Sequence, residues 1–163
     1  MTDKKLKSHR VKIDKIDKEI YALIQKRASH AVAIGKIKSK VSPKESFYKP
    51  DRETKILRNI LNANKKGLLP DSKIRAIYKE LISGCLSLEE ILKVAYLGPE
   101  ATHSEAAVHN QFGSQALRIP TSTIDDVFYQ VINDDVNLGV VPVENSSEGV
   151  INTTLNCLAD SKD

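Results

Sequence analysis

Apolar residues recur every three or four positions through the first part of the chain. Ile13, Ile16, Ile20, Leu23, Ala31 and Ile34 lie on one helical face, and the same face continues through Arg27 and Lys38. The spacing predicts a first helix from about Asp3 to Lys40, stopped at Ser42–Pro43 because proline cannot continue it. Asp14 and Lys18, an acid four residues before a base, support that run. A second helix is expected from Asp51 over DRETKILRNILNANKK, ending at Gly67. Asp71 is expected to cap a third helix, IRAIYKELISGCLSLEEILK, over residues 74–93.

The pattern then changes. VAYLG (94–98), ALRIP (116–120) and LGVVPVEN (138–145) read as strands. Helical runs follow each of them: HSEAAVHNQFG (103–113), STIDDVFYQVIN (122–133, capped by Ser122 or Thr123) and SEGVINTTLNCLAD (147–160). The expected fold class is an all-α three-helix unit, residues 1–93, followed by a partial α/β lobe, residues 94–163, of βαβαβα order with a parallel sheet. Charge divides at the same place. Residues 1–93 carry 23 Lys and Arg against 11 Asp and Glu, a net of +12; residues 94–163 carry 2 against 10, a net of −8.

The length of the first helix carries a further expectation. At 1.5 Å per residue it spans roughly 57 Å, whereas a compact domain of this size has a radius of gyration near 12–13 Å. Its far half would leave isoleucines bare unless a second copy covered them, which predicts an intertwined homodimer. The polar start contains no secretory apolar core, and no apolar run approaches a membrane span. Cys85 and Cys157 have no paired spacing, so neither a disulfide framework nor a metal set is expected. The basic residues of the first unit lie along helices without interleaved aromatics, which argues against nucleic acid as a partner. The expectation is a cytoplasmic protein that touches neither nucleic acid nor membrane.

Arg27 and Lys38 are the chemical clue. Eleven residues place them on one face about 16 Å apart. A buried cation without a partner is expensive, so either protein carboxylates fill the gap or a ligand brings the negative charge. Tyr78, Ile82, Cys85, Glu89 and Leu92 step by four and three, which sets Glu89 on an apolar stripe; it could equally serve as an internal partner for Arg27 or Lys38. Arg52 precedes Ile56 and Ile60 by helical steps, and Glu53 falls in a first turn, where a carboxylate is also favoured by the helix dipole. Arg10 is about 42 Å from Lys38 along the helix and could reach only a partner's pocket. His9 and His30 have no nucleophile at a useful spacing and read as surface residues. Such a pocket suits a small multi-anion, and any catalysis in it would act by orientation and charge stabilisation. A helical dimer that senses an anion, or a basic DNA-associated module, is the alternative from another class.

RVKIDKIDKEIYALIQKRASHAVAIGKIK, YKPDRE and YKELISGCLSLEE together resemble the all-helical chorismate mutase domain over residues 5–92. The resemblance implies a three-helix protomer in an intertwined dimer that converts chorismate to prephenate without a cofactor. It also implies that Arg27 and the partner's Arg10 hold the substrate carboxylates, and that Lys38 and Glu89 hydrogen-bond the ether oxygen. Arg52 would support the site, Glu53 would bind the substrate hydroxyl, and Ile82, Cys85 and Leu86 would line a wall. Some members of that family have Gln where this chain has Glu89, and some have an acid near Lys49.

VAYLGPEATHSEAA and GVVPVENSSEGVINTTL resemble the start of prephenate dehydratase, and the pairing resembles the bifunctional mutase–dehydratase family of phenylalanine biosynthesis. Thr102, Ser104, Glu144, Asn145 and Ser146 match that family's prephenate-site loops, although ordinary turn and cap chemistry would place the same residue types there. Ala101 stands where the family's GPEGT stretch has glycine, so positive φ there would strain the loop. The family's dehydratase domain continues beyond the length seen here, so this chain is expected to be an active mutase without dehydratase activity; the alternative among enzymes is a fragment of a bifunctional mutase/dehydratase that acts on prephenate.

Overall fold

The computed structural model describes residues 2–41, 47–145 and 149–161. Helix α1 (Thr2–Val41) is followed by α2 (Pro50–Ala63), a short 3₁₀ turn (Asn64–Lys66) and α3 (Asp71–Leu86). Then come β1 (Lys93–Leu97), α4 (His103–Phe112), β2 (Leu117–Thr121), α5 (Ile124–Ile132) and β3 (Leu138–Val140). A two-stranded hairpin, β4 (Glu144–Asn145) with β5 (Gly149–Val150), leads into α6 (Asn152–Asp160). The architecture is therefore a helical N-terminal region followed by a small parallel sheet with helices.

The sheet has the order β2-β1-β3, with β1 parallel to both neighbours. Its central strand is buried on both faces, and side chains alternate between them. Val94 and Tyr96 pack with Leu92, Val108 and Ala116 on one face, while Ala95 packs with Val127 and Val136 on the other. The first of these clusters also takes in Tyr48 and Leu86 from the helical region, so one core continues from helices to sheet. The caps of the sheet's helices follow the sequence closely. Thr102 accepts from the Glu105 amide, and Thr123 forms a capping box with Asp126.

Several boundaries differ from expectation. The third helix does not run to Lys93 but ends at Leu86. Successive turns follow, with the amides of Glu89 and Glu90 both bonding the Leu86 carbonyl. Sheet pairing claims the rest: the Leu92 carbonyl accepts from the Leu117 amide, and Lys93 exchanges hydrogen bonds with Asn137. Asp71 is not the cap of α3 but its first residue, and its carboxylate accepts from Asn64 across the connection. The second helix stops at Ala63 and tightens into the 3₁₀ turn before Gly67. The predicted strand 138–145 divides at Val141–Val143, and its last two residues pair antiparallel with 149–150, so the final helix begins at Asn152. Here the Pro142 carbonyl accepts from the buried Thr154 hydroxyl instead of extending a ladder. The expected stop at Ser42–Pro43 lies outside the described residues.

Helix α1 buries only Ala31 and Gly35 among its described side chains, both near its C-terminal end. Ile13, Ile16, Ile20 and Leu23 stand 48–66% exposed.

Ala101 has φ 62°, the left-handed region, in the loop between β1 and α4. Its amide donates to Glu105. We expect Ala101→Gly to relieve about 1–3 kcal/mol of strain, offset by roughly 0.4–1 kcal/mol of added freedom in the unfolded chain. Thermal unfolding should move to higher temperature; an unchanged or lower midpoint would contradict the strain.

Candidate active site

The C-terminal end of α1, the first turns of α2 and the end of α3 enclose a cavity of about 280 Å³. That is near the lower edge of small-molecule pockets, roughly 300–1,000 Å³. Arg27, Lys38, Arg52, Glu53, Ile82, Cys85, Leu86 and Glu89 all line it. Helix periodicity brings Arg27 and Lys38 to the same side. They flank Ala31 and Ile34, which floor the space between them.

Lys38 sits at one end. Its ammonium donates to the Phe47 carbonyl at 3.0 Å and to Glu89 Oε2 at 3.3 Å, and lies 5.2 Å from the Phe47 ring centre. An ammonium has three N–H groups, so one is left over from these described partners. Glu89 reaches it from the turn after α3, not from a helix face. Gly35 makes that approach possible: a Cβ there would lie 3.1 Å from the Glu89 Cα. A glycine within a helix costs about 0.5–1 kcal/mol relative to Ala, and here its missing side chain admits the Glu89 backbone one turn before Lys38.

Arg27 sits toward the other end. Its Nη1 donates to the Leu81 carbonyl at 3.2 Å. Among the described residues neither Arg27 nor Arg52 forms an ion pair; the helical region's described pair is Lys38–Glu89. The protein thus neutralises Lys38 and leaves room and charge beside Arg27 and Arg52.

Glu53 projects from the first turn of α2. Partial burial raises its pKa above the ordinary 4.5, against the charge of Lys79 and a hydrogen bond from Tyr48, both of which favour the carboxylate. Tyr48 is itself raised by burial, with the Gln111 amide pulling the other way. Cys85 is buried and unbonded to the other thiol.

Four lining residues lacked any sequence signal of function. Phe47 and Tyr48 lie in an aperiodic loop, and Ile56 reads as ordinary core. His30, expected at the surface, is exposed yet also borders the cavity. Lys49 borders it as well. Arg10 does not: it is exposed on α1, about 26 Å from Arg27 along the axis.

A family model described as chorismate mutase type II matches residues 9–90, the stretch that supplies the lining of this cavity. The chain belongs to the type II chorismate mutase family. A second model, prephenate dehydratase, matches residues 94–163. Relatives named bifunctional chorismate mutase/prephenate dehydratase occur in Stutzerimonas stutzeri, 44% identical over 92% of this chain, and in Aquifex aeolicus, 46% identical over 96%. That of Escherichia coli K12 is 26% identical over 91%. The chain spans 42–43% of the length of these relatives.

The described dehydratase-like residues of this mutase-family chain, Thr102, Ser104, Glu144 and Asn145, follow the C-terminal ends of the neighbouring strands β1 and β3, where ligands of parallel sheets bind. Thr102 and Ser104 begin α4, and Thr102 is engaged as its cap. Glu144 and Asn145 are exposed on β4, and Ser146 lies outside the described residues. No helix among the described residues is long and apolar enough to cross a membrane.

Because folding favours the acid form of Glu53, its contribution to stability is full below about 4.5 and is lost as pH rises through its folded value. Glu53→Gln should therefore unfold at a higher temperature than the parent at pH 7. The gap should close as pH falls toward 4.5; a gap that widens on acidification would contradict the assignment.

Proposed function

We propose that the helical part, residues 1–93, isomerises chorismate to prephenate, and that residues 94–163 are the first part of a dehydratase domain. The observation that carries this reading is a cavity of small-molecule size in which Arg27 and Arg52 are without carboxylate partners among the described residues. A dicarboxylate guest supplies a partner for Arg27, and Arg52 supports the site. In the rearrangement the ether C–O bond breaks while a C–C bond forms within the same molecule, so no group passes to the protein. The protein's work is to hold the reactive conformer and to meet the charge that gathers on the ether oxygen. Lys38 donates to that oxygen with its remaining N–H. Glu89 accepts from Lys38 and so holds that ammonium toward the ether oxygen. Glu53 takes the substrate hydroxyl, and Ile82, Cys85 and Leu86 pack against the ring.

Arg27 grips one carboxylate. We assign the second to Arg10 of another copy, in a homodimer whose α1 helices pack together. The exposed stripe of Ile13, Ile16, Ile20 and Leu23 supports that packing, since a patch of this kind marks an interface. Unpaired Cys85 and Cys157 fit a reducing cytoplasm. In the α/β part, Thr102, Ser104, Glu144, Asn145 and Ser146 belong to a prephenate-binding loop set.

Chorismate consumption followed by absorbance tests the activity on the full chain. We expect Lys38→Met to lower kcat by about 10²–10³, with a folded protein by circular dichroism. No turnover by the parent chain would refute the reading. Light scattering should give twice the chain mass at micromolar concentration, and a monomer that still turns over chorismate would refute the role of Arg10.

A further inference from the structure

The end of α4 lies against the helical region at three successive residues. The Asn110 carbonyl accepts from the Lys79 ammonium. The Gln111 amide donates to the Tyr48 hydroxyl at 3.5 Å. The Phe112 ring meets the Tyr48 ring edge-on, with centres 5.4 Å apart and planes at 71°. The contact is fixed nearby. Ser114 donates to Glu80 through both its amide and its hydroxyl, and the Gln115 amide donates to Ser83 Oγ. Gly113 has φ 79°, and a Cβ on it would come within 2.6 Å of the Ser83 side chain, so only glycine lets α4 end there.

Tyr48 and Lys79 have one thing in common: they are the two groups that act on Glu53 to favour its carboxylate, by a hydrogen bond and by charge. Each is held from the far side by α4. Glu53 itself lines both the main cavity and a second cleft that contains Tyr48, Lys79 and Gln111. In the cleft it also shares space with Arg58 and Arg75; in the cavity it shares space with Arg27, His30, Lys38, Lys49, Arg52 and Glu89.

We propose that α4 of the dehydratase-like part is a working wall of the mutase pocket, with Gln111 and Asn110 fixing Tyr48 and Lys79 so that these two residues set the position of the Glu53 carboxylate. Tyr48, Lys79 and Gln111 are positioning residues. Substrate is touched by Glu53, and this part of the proposal rests on the reading of the cavity as the chorismate site. The consequence is that a unit matched to one enzyme family tunes the active site of another through about one helical turn.

The test uses the full chain and the variants Tyr48→Phe and Gln111→Ala, alone and in a Glu53→Gln background. Tyr48→Phe keeps the ring against Phe112 and removes only the hydroxyl. We expect it to raise KM for chorismate by about 3- to 10-fold, the worth of one hydrogen bond, with a smaller change in kcat. Gln111→Ala should act in the same direction and more weakly. Both effects should vanish in Glu53→Gln, since they act through that carboxylate. Carbon-13 titration of the Glu53 carboxyl provides a readout without substrate: its midpoint should move to higher pH in Tyr48→Phe, because a donor that favours the ionised form is lost. An unmoved titration, or kinetic effects that add in full to those of Glu53→Gln, would overturn the proposal. A parent chain inactive on chorismate but with the titration shift intact would refute the substrate and leave the relay standing.

Discussion

Helix α1 puts cations on the face it turns toward the rest of the protein, and the structure depends on what neutralises them. Lys38 has Glu89, and the pair is closed by the loss of a single side chain at Gly35. Arg27 has a backbone carbonyl, which takes one of its five N–H groups. Between the two lies a cavity, with Glu89 paired to Lys38 and Glu53 on its wall. Filling that space with Leu or Met would give a better packed bundle. A cavity edged by positive charge is stable only because it is half open to water, and it is useful only if a guest replaces that water.

The second constraint is continuity of packing. Had α3 run on to Lys93, Glu89 would have stayed on a helix face and the sheet would have lost its first strand residue. Ending the helix at Leu86 serves both sides. The turn swings Glu89 over Gly35, and Leu92 drops into the core beneath Val94 and Tyr96. Leu86 then touches the cavity on one side and the sheet cluster on the other. The join between the two family matches is therefore shared hydrophobic structure.

Much of the site was legible because it rests on helices. Arg27, Lys38, Arg52, Ile82 and Cys85 were all placed by steps of three and four, and their convergence follows from that geometry alone. Glu89 was chosen for a helical stripe it does not occupy; its place in the cavity comes from a turn whose closeness depends on Gly35, a residue that the apolar pattern passes over. Tyr48 was quoted within YKPDRE but given no role, because an aperiodic loop carries no spacing to read and its partner Gln111 lies 63 residues downstream. The short β4–β5 hairpin was missed for a related reason. LGVVPVEN was read through Pro142, which has no N–H for a ladder, and the Pro142 carbonyl accepts from Thr154 instead. The role proposed for Arg10 depends on a second copy, which one chain's periodicity can point toward without locating.

The central claim is that the cavity's positive charge exists to hold a small dianion. Calorimetric titration of the full chain with prephenate, repeated at low and high salt and with Arg27→Ala, addresses it directly. The account predicts one bound prephenate per chain, weaker binding as salt rises, and loss of binding in Arg27→Ala. Equal affinity of the parent and Arg27→Ala, or no binding at all, would contradict it.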